Sequence, residues 1–304
     1  MSGKEFLKLM THLAAPSEVR RLLAKHGLHC RKSLGQNFLV DANIVSKIIS
    51  AARPGKQDTL VEIGPGLGVL TREAARRAGS VVALELDQSL RPVLEDTLGD
   101  LDNVQVVFGD AMEADLDGTV LQCTGRRGPY KLVSNLPYYI TTPLILRLLK
   151  SGFNISLLVV MVQQEVAERI AALPGGKDYG ALSVAVQYYT EASYLFRVPA
   201  TVFIPRPEVD SAVIRLVRRD RPAVEVPDQE LFFKIVRGSF GQRRKTLINA
   251  LGSAFGGIPR ETLKEMLLEA GVDPGRRGET LGLEEFAGIA RRMYNYKVQV
   301  VQRS

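Results

Sequence analysis

Short apolar segments alternate with longer amphipathic segments between residues 59 and 163 of the chain. The apolar segments are rich in β-branched residues, which predicts buried strands at residues 59–63, 80–85, 104–108, 130–134 and 156–163. The segments between them carry apolar residues three or four positions apart, which predicts helices at residues 69–78, 89–98 and 143–150. This repeated strand–helix unit predicts an α/β fold with a mostly parallel sheet that has helices on both faces.

The segments on either side of this unit have different patterns. Residues 17–26 and 41–52 have the periodicity of amphipathic helices. Beyond the core strands, the apolar runs at residues 181–189 and 209–217 predict two further strands that could pair antiparallel. The predicted sheet therefore continues past its parallel part.

The C-terminal part has no strand pattern. Around residues 218–227 the sequence becomes charged and contains proline, which is typical of a linker. Helical periodicity returns at residues 228–240, 244–255, 259–270 and 283–295. We therefore expect a domain at residues 1–220, with an N-terminal basic helical extension, and a small all-α domain at residues 221–304.

Composition and charge narrow the class of protein. The 304 residues are 45% hydrophobic and 24% charged, and no apolar run reaches the roughly 18 residues of a membrane span. The two cysteines fit a reducing cytoplasm without disulfides. Net charge is +7 over residues 1–56, −4 over residues 57–220 and +4 over residues 221–304. The basic flanks indicate either solvated chain ends or a surface for a polyanion, and charge alone leaves both open.

Metal chemistry is not expected in this chain. All three histidines lie within the first thirty residues, and two cysteines are too few for a typical zinc site. The site should therefore depend on other side chains and on the backbone.

A glycine-rich turn follows the first predicted core strand. Gly64, Gly66 and Gly68 lie between a strand and a helix, where bare backbone can approach a ligand. A dinucleotide fingerprint would place its third glycine one position later, and the Lys-Ser/Thr pair of a phosphate loop is absent. Glu85 ends the next strand, where it could bind ribose hydroxyls, and Asp110 follows the third, where it could bind an adenine amine. This arrangement resembles class I methyltransferases, whose cofactor has no phosphates.

A second motif follows the fourth core strand. The Asn135 side-chain oxygen and the Leu136 carbonyl could accept both hydrogens of a purine amine and free its lone pair for attack. Pro137 would make the turn rigid, and Tyr138 could stack on the base. The two motifs together predict methyl transfer to the exocyclic nitrogen of a base.

The chain resembles the ribosomal RNA adenine N6-dimethyltransferases, and among them those of the small subunit. The resemblance spans nearly the whole chain. Besides the two motifs above, it rests on the segments Leu34-Gly35-Gln36-Asn37-Phe38-Leu39, Gln164-Glu165-Val166-Ala167-Glu168-Arg169, Tyr179-Gly180-Ala181-Leu182-Ser183 and Phe203-Ile204-Pro205-Arg206-Pro207-Glu208-Val209-Asp210-Ser211. Such an enzyme has a Rossmann-like domain and a smaller helical domain that binds RNA.

The resemblance also implies roles for individual residues. The cofactor S-adenosylmethionine would contact Asn37, Leu39, Gly64, Gly66, Glu85, Asp110 and Asn135. Phe203 would hold the target adenine opposite Tyr138. The RNA would contact Arg237, Arg243, Arg244 and Lys245, although an isolated charge run is more often a solvated helix face.

The resemblance implies methylation of two adjacent adenosines in a hairpin loop near the 3′ end of 16S rRNA. The products would be N6,N6-dimethyladenosines, and the partner an immature small ribosomal subunit. We expect a cytoplasmic monomer with a possible role in subunit biogenesis. Two alternatives stay open, a large-subunit rRNA adenine dimethyltransferase and a non-enzymatic nucleic-acid-binding factor on the same fold. Tyr139 departs from the asparagine that is frequent in the family, and its role is open.

Overall fold

The computed structural model describes residues 13–31, 34–242 and 244–303 of the chain. Contacts divide these residues into two compact units. The first runs up to Ala167 and includes Glu191–Arg218, and the second combines Glu168–Thr190 with the chain from Arg219 onward. This division differs from a boundary at residue 220, because Glu168–Thr190 packs with the C-terminal helices.

The strands of the described residues range from two to nine residues in length. They are β1 (Phe38–Leu39), β2 (Thr59–Ile63), β3 (Ser80–Glu85), β4 (Val104–Phe108), β5 (Tyr130–Asn135), β6 (Ile155–Gln163), β7 (Thr190–Val198), β8 (Phe203–Ile204) and β9 (Ser211–Arg218). Seven of them form one sheet in the order β4-β3-β2-β5-β6-β9-β7. Neighbours from β4 to β6 are parallel, and β9 pairs antiparallel with β6. The predicted α/β fold is confirmed.

The helices occupy the segments between the strands and the C-terminal part. They span Pro16–Lys25, Ala42–Ala52, Val69–Arg77, Arg91–Leu98, Leu116–Thr124, Thr141–Lys150, Gln164–Ala171, Ala181–Tyr189, Gln229–Phe240, Leu247–Ala254, Arg260–Glu269 and Leu283–Arg303. None of those in the described part of the chain is long and apolar enough to cross a membrane.

The sheet reverses its strand order between β2 and β5. From β2 the chain moves outward through β3 to β4, then returns to place β5 on the other side of β2. Ligands of open parallel sheets bind at such a switch point, outside the carboxyl ends of the strands. The glycine turn follows β2 and Asn135 ends β5, so both predicted motifs lie at this position.

A separate two-stranded sheet connects the two ends of the first unit's sequence. Phe38 pairs with Ile204 and Leu39 with Phe203 in antiparallel register. The Val40 amide also donates to the Val202 carbonyl at 2.8 Å. This pairing fixes the segment before helix Ala42–Ala52, although neither short strand was predicted from the sequence pattern.

The second unit has a compact aromatic core. The ring centroids of Tyr188 and Phe232 are 5.1 Å apart, and those of Tyr179 and Phe240 are 5.8 Å apart. The Tyr179 hydroxyl donates to the Leu281 carbonyl at 2.9 Å. These contacts explain why Glu168–Thr190 groups with the C-terminal helices.

The prediction of a strand at residues 181–189 is wrong, because Ala181–Tyr189 is a helix. Its first turn is stabilised locally, since the Gly180 amide donates to Ser183 Oγ at 3.0 Å. Periodicity alone cannot separate a buried helix from a buried strand in so short an apolar run. The strand lies immediately afterwards as β7, and the strand predicted at residues 209–217 is present as β9.

Candidate functional site

One cleft of the first unit brings together ten of the predicted site residues. Its lining includes Asn37, Leu39, Gly64, Gly66, Glu85, Asp110, Asn135, Leu136, Pro137 and Tyr138. These residues come from β1 and the loop before it, and from the carboxyl ends of β2, β3, β4 and β5. The topology therefore gathers residues as distant in the sequence as Asn37 and Tyr138.

The glycine turn requires the absence of side chains at two positions. Gly66 has φ +58°, and a Cβ there would lie 3.1 Å from the Phe38 ring. Gly68 has φ +82° directly before helix Val69–Arg77, and a Cβ there would lie 2.9 Å from Leu98. Both positions combine a left-handed backbone with close packing, which only glycine accommodates.

Glu85 is held at the carboxyl end of β3 by backbone donors. Its carboxylate accepts hydrogen bonds from the Gly66 amide at 3.3 Å and from the Asp87 amide at 2.7 Å. Burial raises the pKa of Glu85 while these hydrogen bonds oppose the rise. A carboxylate offers about four lone-pair positions, so acceptor capacity remains for the hydroxyls of a ligand.

Glu62 is a second buried acid beside this turn, and sequence analysis did not single it out. It is 1% exposed, lines the cleft, and accepts a hydrogen bond from the Thr71 hydroxyl at 2.6 Å. Burial raises its pKa to about 8, with a further contribution from the nearby Glu85 charge. A charged residue in an otherwise apolar strand was the available signal.

Asp110 lies just beyond β4. One of its carboxylate oxygens accepts the Met112 amide at 2.7 Å, which fixes the side chain. The preceding Gly109 amide donates to the Glu85 carbonyl at 2.9 Å, so the ends of β3 and β4 stay in register. The two predicted cofactor acids therefore lie on neighbouring strands at one edge of the sheet.

The Asn135 amide has a defined orientation. Its Nδ2 donates to the Asn37 carbonyl at 3.0 Å, and a carbonyl can only accept, so the side-chain oxygen must face away from that contact. The Leu136 amide donates to the Met161 carbonyl at 3.1 Å, which holds the next peptide to β6. Neither Asn135 Oδ1 nor the Leu136 carbonyl accepts a hydrogen bond from another described residue. Two acceptors are thus available at the end of β5.

The rest of this motif is anchored by hydroxyl groups. The Thr141 hydroxyl donates to the Pro137 carbonyl at 2.9 Å, which fixes the turn against the following helix. The Tyr138 hydroxyl shares a hydrogen bond of 2.7 Å with the Ser211 hydroxyl of β9. Burial raises the pKa of Tyr138 despite this hydrogen bond, so the ring is neutral. The hydrogen bond to Ser211 fixes the orientation of the Tyr138 side chain.

Phe203 has a different position from the other predicted residues. Its side chain is 3% exposed and belongs to the apolar core beside Leu39. The cleft lining does not include it. The role of Phe203 opposite Tyr138 therefore stays a prediction.

The basic residues predicted to contact RNA belong to the second unit. Arg237, Arg244 and Lys245 are exposed, and Arg243 lies outside the described residues. Arg237 is in the last turn of helix Gln229–Phe240, where the other two follow within eight positions. Their exposure is compatible with phosphate contacts and with a solvated surface alike.

A polar network beside the cleft was missed by sequence analysis. Gln36 Nε2 donates to Asp87 Oδ2 at 2.8 Å, and the Arg31 guanidinium lies 3.1 Å from Asp87 Oδ1. Burial opposes ionisation of Asp87, but hydrogen bonds from Ser89 and Gln36 and the Arg31 charge hold its pKa below its usual range. The network fixes the loop before β1 to the end of β3. No local pattern could have predicted a pairing between residues 51 positions apart.

The fold and the cleft define a Rossmann-like methyltransferase domain. A glycine turn and two acids lie on one side of the switch point, and an Asn-Leu-Pro-Tyr turn lies on the other. Within the part of the chain that the structure describes, no group of three His, Cys, Asp or Glu side chains is placed to hold a metal ion.

Comparisons with known proteins identify the family. The profile of ribosomal RNA adenine dimethylases matches residues 27–292. Ribosomal RNA small subunit methyltransferase A of Moorella thermoacetica is 56% identical over 288 residues, which cover 93% of this chain and 99% of that protein. The protein of the same name from Enterococcus faecalis is 51% identical, with 94% and 97% of the two chains covered. The chain belongs to the ribosomal RNA adenine dimethylase family.

Solved structures agree on the fold. A dimethyladenosine transferase from Plasmodium falciparum superposes with a TM-score of 0.73 at 23% identity, covering 86% of this chain and 98% of the other. The 23S rRNA methyltransferase ErmE superposes with a TM-score of 0.65 at 28% identity, covering 85% and 100%. The predicted family and fold class are therefore confirmed.

Proposed function

We propose that this protein transfers methyl groups from S-adenosylmethionine to N6 of two adjacent adenosines near the 3′ end of 16S rRNA. The products are two N6,N6-dimethyladenosines in a hairpin loop of the immature small ribosomal subunit. The observation that carries the proposal is the Asn135–Tyr138 turn, which presents two acceptor oxygens and an aromatic ring beside the glycine turn of the same cleft.

The residues beside the glycine turn fit S-adenosylmethionine. Gly64 lines the cleft with φ +70° and nothing within 4 Å of an added Cβ, so bare backbone is open to a ligand there. Glu85 and Asp110 offer oxygen acceptors for ribose hydroxyls and for an adenine amine. Among the described residues that line the cleft there is no Lys or Arg, as suits a cofactor without phosphates. When bound, this cofactor supplies an electrophilic methyl group on a sulfonium.

The Asn135–Tyr138 turn activates the target amine. The Asn135 side-chain oxygen and the Leu136 carbonyl accept the two N–H groups of adenine N6, which weakens the delocalisation of its lone pair into the ring. Tyr138 stacks on the base and orients the nitrogen for in-line attack. The amine proton then leaves to water, so no histidine or metal is needed at this step.

Dimethylation requires the same site to accept a monomethylated amine. With one methyl group present, N6 has a single N–H and needs only one of the two acceptors. The Asn135 oxygen and the Leu136 carbonyl can therefore hold adenine and N6-methyladenine in turn. The pocket must therefore leave space beside N6 for one methyl group.

The second unit supplies an RNA surface in this proposal. Arg237, Arg244 and Lys245 are exposed and carry no role in the cleft. Contacts between lysine or arginine and phosphate give affinity without reading sequence, so these residues would hold the subunit while Asn135 and Tyr138 select the base. A small-subunit substrate would place the protein in the cytoplasm, and the expectation of a monomer stays a prediction.

The small subunit is favoured over the large subunit by the relatives. Proteins named for the small subunit share 51% to 56% of residues over nearly the whole chain, whereas ErmE, named for 23S rRNA, shares 28%. A non-enzymatic binding role is disfavoured because the cleft retains Glu85, Asp110, Asn135 and the glycine turn.

Purified ribosomal subunits test the proposal. Unmethylated small and large subunits are incubated with the protein and labelled S-adenosylmethionine, and mass spectrometry locates the methyl groups in the rRNA. We expect four methyl groups on two adjacent adenosines of the small subunit. Small subunits that are already dimethylated serve as the control and should accept no label. Labelling of the large subunit alone would support the alternative enzyme, and no labelling of either would contradict the proposal.

A further inference from the structure

Tyr139 is an aromatic residue of the cleft that the proposed function does not use. Its side chain is 52% exposed, although it follows Tyr138 directly and lines the same cleft. Tyr138 is half-buried, and its hydroxyl is fixed by Ser211. Two adjacent tyrosines therefore have different environments, one inside the cleft and one at its mouth.

The Tyr139 ring lies beside the loop before β1. Gly35 has φ +61°, and a Cβ at this position would lie 3.4 Å from Tyr139 Cδ1 and 3.5 Å from Pro137 Cβ. The ring edge thus lies beside Gly35, while much of the ring remains accessible. Because one edge is supported, the ring can present its open surface with little further ordering.

The proposed substrate places a second base near this ring. The target adenosine must leave its stack to enter the cleft, and the nucleotide beside it in the chain then lies at the cleft mouth without that stacking partner. Aromatic side chains stabilise unstacked bases, and they do so for every base because each has a π-face. An exposed tyrosine next to the target site has the chemistry for this contact.

We propose that Tyr139 stacks on the nucleobase next to the adenosine that occupies the cleft. This inference rests on the proposed function, since it assumes an RNA substrate with a flipped adenine. It assigns Tyr139 to the neighbouring nucleotide, in contrast to Tyr138, which contacts the reacting base. Tyr139 would act as a positioning residue for substrate binding and take no part in the chemistry on N6.

Three variants test the proposal on unmethylated small subunits. Removal of a stacking ring typically costs about 5-fold to 100-fold in affinity, so Tyr139→Ala should lower kcat/KM by about that factor. Tyr139→Phe keeps the ring and should stay within about 2-fold of the wild-type protein. Tyr194→Ala is the matched control, because Tyr194 is also exposed, at 37%, and is not among the cleft-lining residues.

Cofactor affinity separates a substrate contact from a structural role. Calorimetric titration with S-adenosylmethionine should give the same dissociation constant for Tyr139→Ala and the wild-type protein within about 2-fold. Wild-type kcat/KM in Tyr139→Ala, an equal loss in Tyr139→Phe, or a parallel loss of cofactor affinity would each overturn the inference. If the wild-type protein is active and Tyr139→Ala is equally active, only this inference is contradicted. If the wild-type protein is inactive, the proposed function is contradicted as well.

Discussion

The two ends of the cleft are built in different ways. At the end near the glycine turn, Glu62 and Glu85 are almost fully buried and accept hydrogen bonds from Thr71 and from backbone amides. At the end near the Asn-Leu-Pro-Tyr turn, the Asn135 and Leu136 oxygens accept no hydrogen bond from a described residue. Tyr139 is also largely exposed there. The acids at the first end are thus held by donors of the protein itself, whereas the two oxygens at the second end have no donor among the described residues.

This difference predicts which property of the protein a substitution at each end will change. A preorganised, buried site is coupled to the folding of the chain, so changes there should alter stability and cofactor affinity. Acceptors that are unused in the free protein contribute little to folding, and their loss should appear in the rate of methyl transfer. Each of the following variants tests whether a substitution at one end of the cleft changes the predicted property.

Asn135→Ala should have the largest effect on activity. It removes one of two proposed acceptors for the target amine, and loss of such a group typically lowers kcat by about 100-fold or more. The free energy of unfolding should fall by only about 1 kcal/mol, because the folded chain loses a single hydrogen bond to the Asn37 carbonyl. Methylation of small subunits and urea denaturation measure the two quantities.

The control for this variant is Asn154→Ala, which removes an exposed asparagine before β6. It should leave kcat unchanged. If Asn135→Ala kept activity close to wild type, or lost stability in proportion to activity, the proposed role of the acceptor would be wrong.

Glu62→Gln should change the pH dependence of stability. The unfolded carboxyl has a pKa of about 4.3, and burial raises the pKa of Glu62 to about 8 in the folded chain. Between these values the folded state retains a proton that the unfolded state has released. The free energy of unfolding therefore falls by up to about 1.4 kcal/mol per pH unit as pH rises between these values. Below the unfolded pKa both states hold the proton, so the free energy of unfolding no longer depends on pH through Glu62.

Glutamine keeps the acceptor for the Thr71 hydroxyl and does not ionise. The free energy of unfolding of Glu62→Gln relative to that of the wild-type protein should consequently rise by about 2 to 3 kcal/mol from pH 5 to pH 7. Urea denaturation of both proteins at the two pH values measures it, and other titrating groups cancel in the difference. Parallel pH profiles would mean that Glu62 is not held protonated by burial.

The same contrast explains what the sequence could predict. The glycine turn follows β2, and Glu85 and Asn135 are the last residues of β3 and β5, so the order of strands was enough to bring them to one edge of the sheet. Glu62 and Thr71 form a contact that depends on how a strand and the next helix pack, and the network of Gln36 with Asp87 joins two distant loops. Such contacts are products of tertiary packing and leave no local pattern.

The elements that sequence analysis missed have a similar cause. β1 and β8 have two residues each, too few for a period, and they exist because they pair with each other. Residues 181–189 were predicted as a strand because they form a short apolar run, in which periodicity cannot separate a buried helix from a buried strand. Phe203 was identified through a family motif, and its burial could be seen only once β8 was paired with β1.

Gly66→Ala should lower cofactor affinity by about tenfold, because the glycine turn needs bare backbone. The added Cβ would lie 3.1 Å from the Phe38 ring at a φ of +58°. A left-handed backbone alone costs an ordinary residue about 1 to 2 kcal/mol of stability. Gly152→Ala is the matched control, because Gly152 has φ +72° and nothing within 4 Å of its added Cβ. Both variants should lose the stability that a left-handed alanine costs, with a further loss in Gly66→Ala from the contact with Phe38, and calorimetry should show weaker cofactor binding in Gly66→Ala alone.

Gln36→Ala should have the smallest effect, since it acts on the orientation of Asn135 through the intervening loop. Without its hydrogen bond to Asp87, the loop that carries the Asn37 carbonyl is held less firmly, and kcat should fall by about 3-fold. Gln36→Glu should be more harmful than Gln36→Ala, because it places a second carboxylate beside the buried, ionised Asp87.

Gln105→Ala, at an exposed position of β4, provides the control and should retain full activity. The order of kcat, with Gln36→Ala above Gln36→Glu, is the informative result. A general loosening of the fold would lower the stability of both variants equally and give no such order. If Gln36→Glu matched Gln36→Ala in kcat, the Asp87 contact would not position the loop, and the two ends of the cleft would be independent.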